Sequence, residues 1–322
     1  MNSKRIRILI SFLLVVILAL FFGFTTESFF SASNLSQLLR DAAYVGTIAL
    51  GMCCVIISGN IDLSAGGMAC FAGCICARLA LAGMPAIVCI LGAMAIGAIM
   101  GFINSLLVNR LHIAPFVATL AAGFVYSGLG LIFTFRENGR IVNKPVMNPG
   151  FTSIAGKVGI IYYCVIVWII LTLIIYFVQL RTRFGMHTYA LGSHETSAKM
   201  SGVKAIRVKT VNYVICGVMC GIAAAFTVAY NNTATASLGN AMEFQAIAAC
   251  VVGGVVMSGG SGNALGALLG SLFMAMLSNG MLKYGINVDW QKMFQGALII
   301  VATAGDAQFA RIMNARMRAR NS

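Results

Sequence analysis

Long apolar runs separated by short polar connections constrain this chain more than any other feature. Ten such runs stand out: Ile8–Phe24, Ala42–Ile57, Ala65–Ala82, Pro85–Val108, Pro115–Phe135, Ile160–Leu180, Val211–Tyr230, Phe244–Met257, Leu265–Gly280 and Phe294–Thr303. A helix needs about 20 apolar residues to cross a bilayer. The second, eighth and tenth runs are shorter, which points to tilted or broken spans. Lipid offers no partners to bare backbone groups, and runs this continuous lack the alternation of barrel strands. The expected fold class is all-α: a polytopic membrane helix bundle of about ten transmembrane helices, with residues 1–322 as a single transmembrane domain. The composition leaves little room for a water-soluble alternative. The chain is 60% hydrophobic and 9% charged, where soluble domains carry about 25% charged residues.

The net charge of +14 would suggest nucleic acid in a soluble protein. Here the basic residues lie between apolar runs, so they set topology and attract anionic membrane lipid, and no nucleic-acid partner is expected. With ten spans both termini share a side. That side receives 14 of the 22 Lys and Arg residues, including Lys4, Arg5 and Arg7 and the basic residues of the Arg181–Thr210 connection. The other side, with Arg40, Arg78, Arg136, Arg140 and four lysines, receives 8. The excess places both termini in the cytoplasm. The first run has a basic start but no small-residue cleavage site after it, so it reads as an uncleaved anchor.

The polar turn Gly59-Asn60-Ile61-Asp62-Leu63-Ser64-Ala65-Gly66 carries a carboxylate between two apolar runs. A charge at that depth costs roughly 2.5–3.5 kcal/mol on insertion scales, so it marks function or an interfacial turn. Asp62 is expected to cap the helix that starts near Ser64–Ala65. An internal repeat is legible as well. Ile48-Ala49 and Ser58-Gly59 correspond to Ile247-Ala248 and Ser258-Gly259, each pattern running in the same direction through the membrane. Glycines recur at i, i+4 as Gly97/Gly101, Gly217/Gly221 and Gly262/Gly266/Gly270, a spacing that lets helices approach closely in lipid.

Other motifs fail on spacing. Gly260-Ser261-Gly262 and Gly150 to Gly156-Lys157 miss the phosphate-loop patterns. The ten cysteines all fall in apolar runs without C-x-x-C spacing, and His112, His187 and His194 lie in or near cytoplasmic connections, so no metal site is expected. All eight acids are expected at or near span ends, which argues against a proton-coupled carrier. The longest cytoplasmic connection, Arg181–Thr210, contains a short helix over Glu195–Met200, with Ser193 as N-cap and Gly202 as its stop.

Three motifs together carry a family resemblance. They are Asp62-Leu63-Ser64, the run from Arg183-Phe184-Gly185 to Ser201-Gly202, and Phe244-Gln245-Ala246-Ile247-Ala248-Ala249 through Gly253-Gly254 and Ser258-Gly259-Gly260. In this order they resemble the membrane permease of bacterial ABC importers for monosaccharides, the ribose/galactose/xylose group. The family usually has G-G-I-D-L-S-V-G at the first motif; Asn60 and Ala65 depart from it, as His194 and Ser197 depart in the connection.

The resemblance implies a transport subunit of the bacterial inner membrane rather than an enzyme. It implies no cofactor in this chain, with ATP and Mg on two partner ATPase subunits, a periplasmic sugar-binding protein, and a second permease copy forming a homodimer or a heterodimer with a paralogue. Within the single permease domain, residues 181–210 would be the coupling loop, with Gly185, Gly192, Glu195, Ala198, Ser201 and Gly202 facing the ATPase. A neutral, hydroxyl-rich substrate needs polar, mostly uncharged groups along its path. Candidates are Asn60, Asp62, Ser64, Asn104, Thr119, Gln245 and Asn279, with Tyr126 and Ser127; for each, the favoured reading is hydrogen-bond glue between helices. Rival readings are an ABC permease for branched-chain amino acids or a signalling molecule, and an ion-coupled secondary sugar carrier.

Overall fold

The computed structural model describes residues 3–137, 140–142, 144–235, 237–287, 289–300 and 304. Each apolar run falls on a helix. The order is α1 (Ser3–Thr25), α2 (Ala32–Ile57), α3 (Ala65–Leu81), α4 (Ala86–Asn109), α5 (Pro115–Phe133), α6 (Pro149–Thr152), α7 (Tyr163–Arg181), α8 (Arg183–Ser193), α9 (Glu195–Met200), α10 (Ala205–Asn231), α11 (Met242–Val252) and α12 (Ala264–Lys283). Two small hairpins, Arg136–Glu137 with Arg140–Ile141 and Lys157–Val158 with Ile161–Tyr162, decorate the α5–α7 connection. Among the described residues seven helices are long and apolar enough to cross a membrane; α3 and α11 are shorter apolar helices. The tenth run begins within a helix over 289–300, and its last three residues lie outside the described ones, as does most of the C-terminal basic segment.

α2 and α10 form the centre of the bundle, 89% and 78% buried over their apolar windows. α10 packs on α4, α2 and α3, while α2 also meets α7, α11 and α12; α1 leans on α12 at the edge, 17% buried. The glycine spacing finds its partners here. A Cβ on Gly97 would strike the Gly217 carbonyl, and one on Gly217 would strike the Gly97 carbonyl. Gly101 and Gly221 repeat the contact against Tyr213 and Ala93, so α4 and α10 touch backbone to backbone. Gly266 and Gly270 do the same for α12 against Ala249 of α11 and Gly253, its C-cap. Gly262 does not join that stripe. It has φ +126° and belongs to the turn before α12, whose N-cap Asn263 accepts from Gly266 N at 2.8 Å.

α2 corrects a sequence expectation. It begins at Ala32, ten residues before the expected Ala42, with Ser31 Oγ accepting from Asn34 N. Arg40, expected in an outer connection, and Asp41, expected at a span end, therefore lie inside the helix. They neutralise each other at 2.7 Å, and the Arg40 guanidinium stacks 3.9 Å above the Tyr230 ring. A partly desolvated cation over an aromatic face is worth about 1–2 kcal/mol. A short-range pair of this kind lets two adjacent charges enter a buried helix. All ten cysteines are free and buried in helices, where they pack as small apolar residues.

Candidate functional site

The polar turn after α2 leaves the helix at Gly59, whose φ of +82° suits glycine, and runs irregularly to Ser64. Asp62 and Ser64 are completely buried. Asp62 Oδ1 accepts from Ser64 N at 3.0 Å and from Ser64 Oγ at 2.6 Å. Asn104 Nδ2 of α4 donates to Ser64 Oγ at 2.7 Å and to Asp62 Oδ1 at 3.2 Å. Tyr126 of α5 donates to Asn104 Oδ1 at 2.9 Å. Thr119 Oγ1 accepts from Leu63 N at 3.0 Å, and Tyr213 of α10 donates to Ile61 O at 3.1 Å. The result is a closed knot tying α3, α4, α5 and α10 to one irregular segment. Among the described residues Asp62 forms no ion pair. Its hydrogen-bond partners among the described residues are neutral donors, an arrangement that is costly to leave half-made in a low-dielectric interior.

Sequence reasoning expected Asp62 to cap α3 directly. Ser64 is the N-cap instead, without a side-chain cap bond of its own, and Asp62 braces that residue. Of the candidate path residues, Asp62, Ser64, Asn104, Thr119 and Tyr126 come together in the knot. Asn60 lies beside it, buried, with its Nδ2 unpartnered among the described residues. Ser127 lines a neighbouring cleft with Gly67 and Glu243. Gln245 and Asn279 stand apart, in a cleft of about 200 Å³ that also takes Asp41, Ser278, Gln291 and Gln295. Asn279 exchanges amide bonds at 3.0 Å with Asn34.

The Arg181–Thr210 connection holds two helices where sequence reasoning expected one. Thr182 Oγ1 accepts from Gly185 N at 3.2 Å and so caps α8. A Cβ on Gly185 would collide with the Val178 and Gln179 carbonyls, which explains glycine at this sharp α7–α8 corner. Ser193 is the last residue of α8 rather than a cap; the N-cap of α9 is His194, without a side-chain bond. Gly202, at φ +84°, ends α9 as expected. Ser201 is its exposed C-cap, with Oγ donating to Ser197 O at 3.0 Å. Buried Ala198 joins Leu191, Ala205 and Val208 in a small core of its own. Glu195 bonds Lys199 at 2.8 Å and the mostly buried Lys209 of α10 at 2.7 Å. Hydrogen bonds from these two ammonium groups hold the Glu195 carboxyl below its ordinary value. α8, α9 and the start of α10 are thereby locked into one unit.

Gly192 is a packing residue inside α8. A Cβ there would strike Ile57 O and Gly260 N, and Gly259 lies against both Gly192 and Gly59. Gly260 N donates to Ile57 O at 2.9 Å, and Tyr189 of α8 donates to Gly262 O at 2.7 Å. The two turns of the repeat, each with a left-handed glycine at Gly59 and Gly259, therefore meet each other at the point where α8 wedges in. The likeness of the two turns was legible in sequence; their meeting on a third segment was not.

Crossing helices, a buried polar knot and a helical connection seated on both repeat turns define a multi-pass membrane transport protein. The chain belongs to the family described as branched-chain amino acid transport system / permease component, which matches residues 34–303. It is 34% identical to the ribose import permease protein of Bacillus subtilis, covering 92% of this chain and 91% of that one. It is 28% identical to the xylose transport system permease protein of Escherichia coli K12, over 97% of this chain and 94% of that one. Against the D-allose transport system permease protein of the same organism it is 30% identical, over 92% and 90%. No solved structure matches the chain. As a permease, the protein is a transport component rather than an enzyme.

Proposed function

We propose that this chain is the membrane-spanning subunit of an ATP-driven importer in a bacterial inner membrane. It passes a monosaccharide from a periplasmic binding protein to the cytoplasm. The reading is carried by end-to-end similarity to permeases named for ribose, xylose and allose. ATP is hydrolysed by separate ATPase subunits, and a second permease copy completes the membrane part. Both termini and the α8–α9 unit face the cytoplasm, where α9 seats in a partner ATPase.

The geometry supports α8–α9 as the coupling element on mechanical grounds. A helix held by its own small core and by the Glu195–Lys209 pair moves as a body. Through Gly192 that body bears on the turn leading to Asp62 and on the turn leading to α12. A push on α9 is thus delivered to both halves at once.

The test is reconstitution. The purified chain in liposomes is expected to hydrolyse no ATP and to accumulate no sugar. With ATPase and binding-protein partners added, it should accumulate a labelled monosaccharide against a gradient. Sodium- or proton-driven uptake by the chain alone would replace this reading with a secondary carrier.

A further inference from the structure

A cleft of about 430 Å³ opens between α3, α5 and residues 237–244, next to the Asp62 knot but outside it. Its polar wall is Glu243, Asn240 and Ser127, and its apolar wall includes the Phe124 and Phe244 rings. Phe124 is 73% exposed and Phe244 47% exposed. The volume lies within the range of small-molecule pockets, roughly 300–1,000 Å³.

The depth of this cleft follows from the packing of α11 on α2. Gln245 shares a cleft with Asp41 and Val45, and Cys250 Sγ donates to Ala49 O at 3.2 Å, so α11 runs alongside the interior of α2. The 26 residues of α2 span ~39 Å at about 1.5 Å per residue. Glu243 therefore sits near mid-depth, far from either end of the bundle. A carboxylate at that depth does not face hydrocarbon; it faces a partner or a water-filled path.

Glu243 accepts backbone hydrogen bonds from its own N–H and from that of Gly66. A carboxylate has about four acceptor sites, so capacity remains toward the cleft it lines. Among the described residues lining the cleft there is no Lys, Arg or His. A zwitterionic amino acid would leave its carboxylate without a cation there. A neutral polyol fits both walls, with hydroxyls for the carboxylate, the amide and the serine, and C–H faces for the rings.

We propose that this cleft is a monosaccharide subsite, in which Glu243, Asn240 and Ser127 bond the hydroxyls and Phe124 and Phe244 cover the apolar faces of the ring. The proposal rests on the sugar-importer reading. Its test uses the assembled importer in proteoliposomes, with labelled D-ribose, D-xylose, D-allose and L-leucine as probes. The wild type is expected to carry one of the sugars. Glu243→Gln should raise its KM roughly tenfold, the size of one lost charge-assisted hydrogen bond. Phe124→Ala should raise it several-fold, whereas Phe102→Ala, on the exposed face of α4, should behave as wild type.

Alkylation of Ser127→Cys should be slowed by saturating sugar during turnover; the native cysteines are buried. If Glu243→Gln does not assemble, Phe124→Ala and the Ser127→Cys protection decide. Wild-type KM in the variants that assemble, with no protection at Ser127→Cys, overturns the subsite and leaves the importer reading intact. Uptake of leucine and of no sugar by the wild type overturns the importer reading and the subsite with it.

Discussion

Two connections of similar length flank α7, and they are built on different principles. The α5–α7 connection consists of two small hairpins and the four-residue α6, tied to the bundle at its rim. Asn148 Nδ2 donates to Ala80 O at 2.9 Å and to Met84 O at 3.1 Å, and Val146 N donates to Asn232 O at 2.7 Å. The α7–α10 connection is two helices with a small core of their own, and it reaches inward to backbone contact with Ile57 and Gly260. The first is held by bonds to helix ends and by Val146 and Phe151, which bury against the bundle core. The second is wedged between the two turns of the repeat. A segment of the second kind is built to transmit a push to the interior; one of the first kind covers an end.

That contrast sets the size of the expected mutational effects. Gly192→Val should be the most damaging change, because its Cβ meets two backbone atoms that have nowhere to move. Overpacking of this sort costs about 1–3 kcal/mol, and the wedge would be displaced as well. ATP-driven uptake should fall at least tenfold (~1.4 kcal/mol or more at the transport step), measured at matched membrane levels. Wild-type uptake in this variant would break the comparison.

Glu195→Arg and Gly202→Leu come next. The arginine sets a cation against Lys199 and the mostly buried Lys209, and leucine is strained at the Gly202 φ of +84°. Both proteins should insert, yet lose uptake and co-purify less ATPase. Exchanging the pair as Glu195→Lys with Lys209→Glu separates the causes. Restored uptake means the pair acts only by holding α9; loss despite a restored fold means α9 presents Glu195 to the partner. The smallest effect belongs to Asn148→Ala. It removes two rim hydrogen bonds and a cap on α6, worth about 1 kcal/mol each. It should lower thermal stability while leaving uptake within twofold.

Much of the bundle was legible because lipid imposes one rule on every span. Apolar length marked α4, α5, α10 and α12, and i, i+4 glycines marked the faces of α4 and α10 that touch. The early start of α2 was missed because Arg40-Asp41 reads as a loop. Only the fold reveals that Tyr230 covers the guanidinium. The Ser31/Asn34 capping pattern was the signal available for it. α8 was missed for a related reason: Thr182 caps it plainly, but its sequence is too polar and glycine-rich to stand out from the basic loop. Asp62-Leu63-Ser64 was readable as a motif. That Asn104 and Tyr126 would close a knot around it was not, since no local spacing encodes contacts between α3, α4 and α5. Glu243 was passed over as an acid at a span end. Its depth depends on α11 being short and lying beside the middle of α2.

The central claim is that the α8–α9 unit, and not the α5–α7 connection, engages the motor. Met200 and Met147 are the matched probes, 86% and 84% exposed, one in each connection. Photoreactive residues at these two positions, activated in membranes during ATP-driven transport, test it most directly. The account predicts crosslinks from position 200 to the ATPase subunit and none from position 147. Crosslinking of the ATPase from position 147, with position 200 silent, would contradict both the coupling assignment and the orientation of the chain.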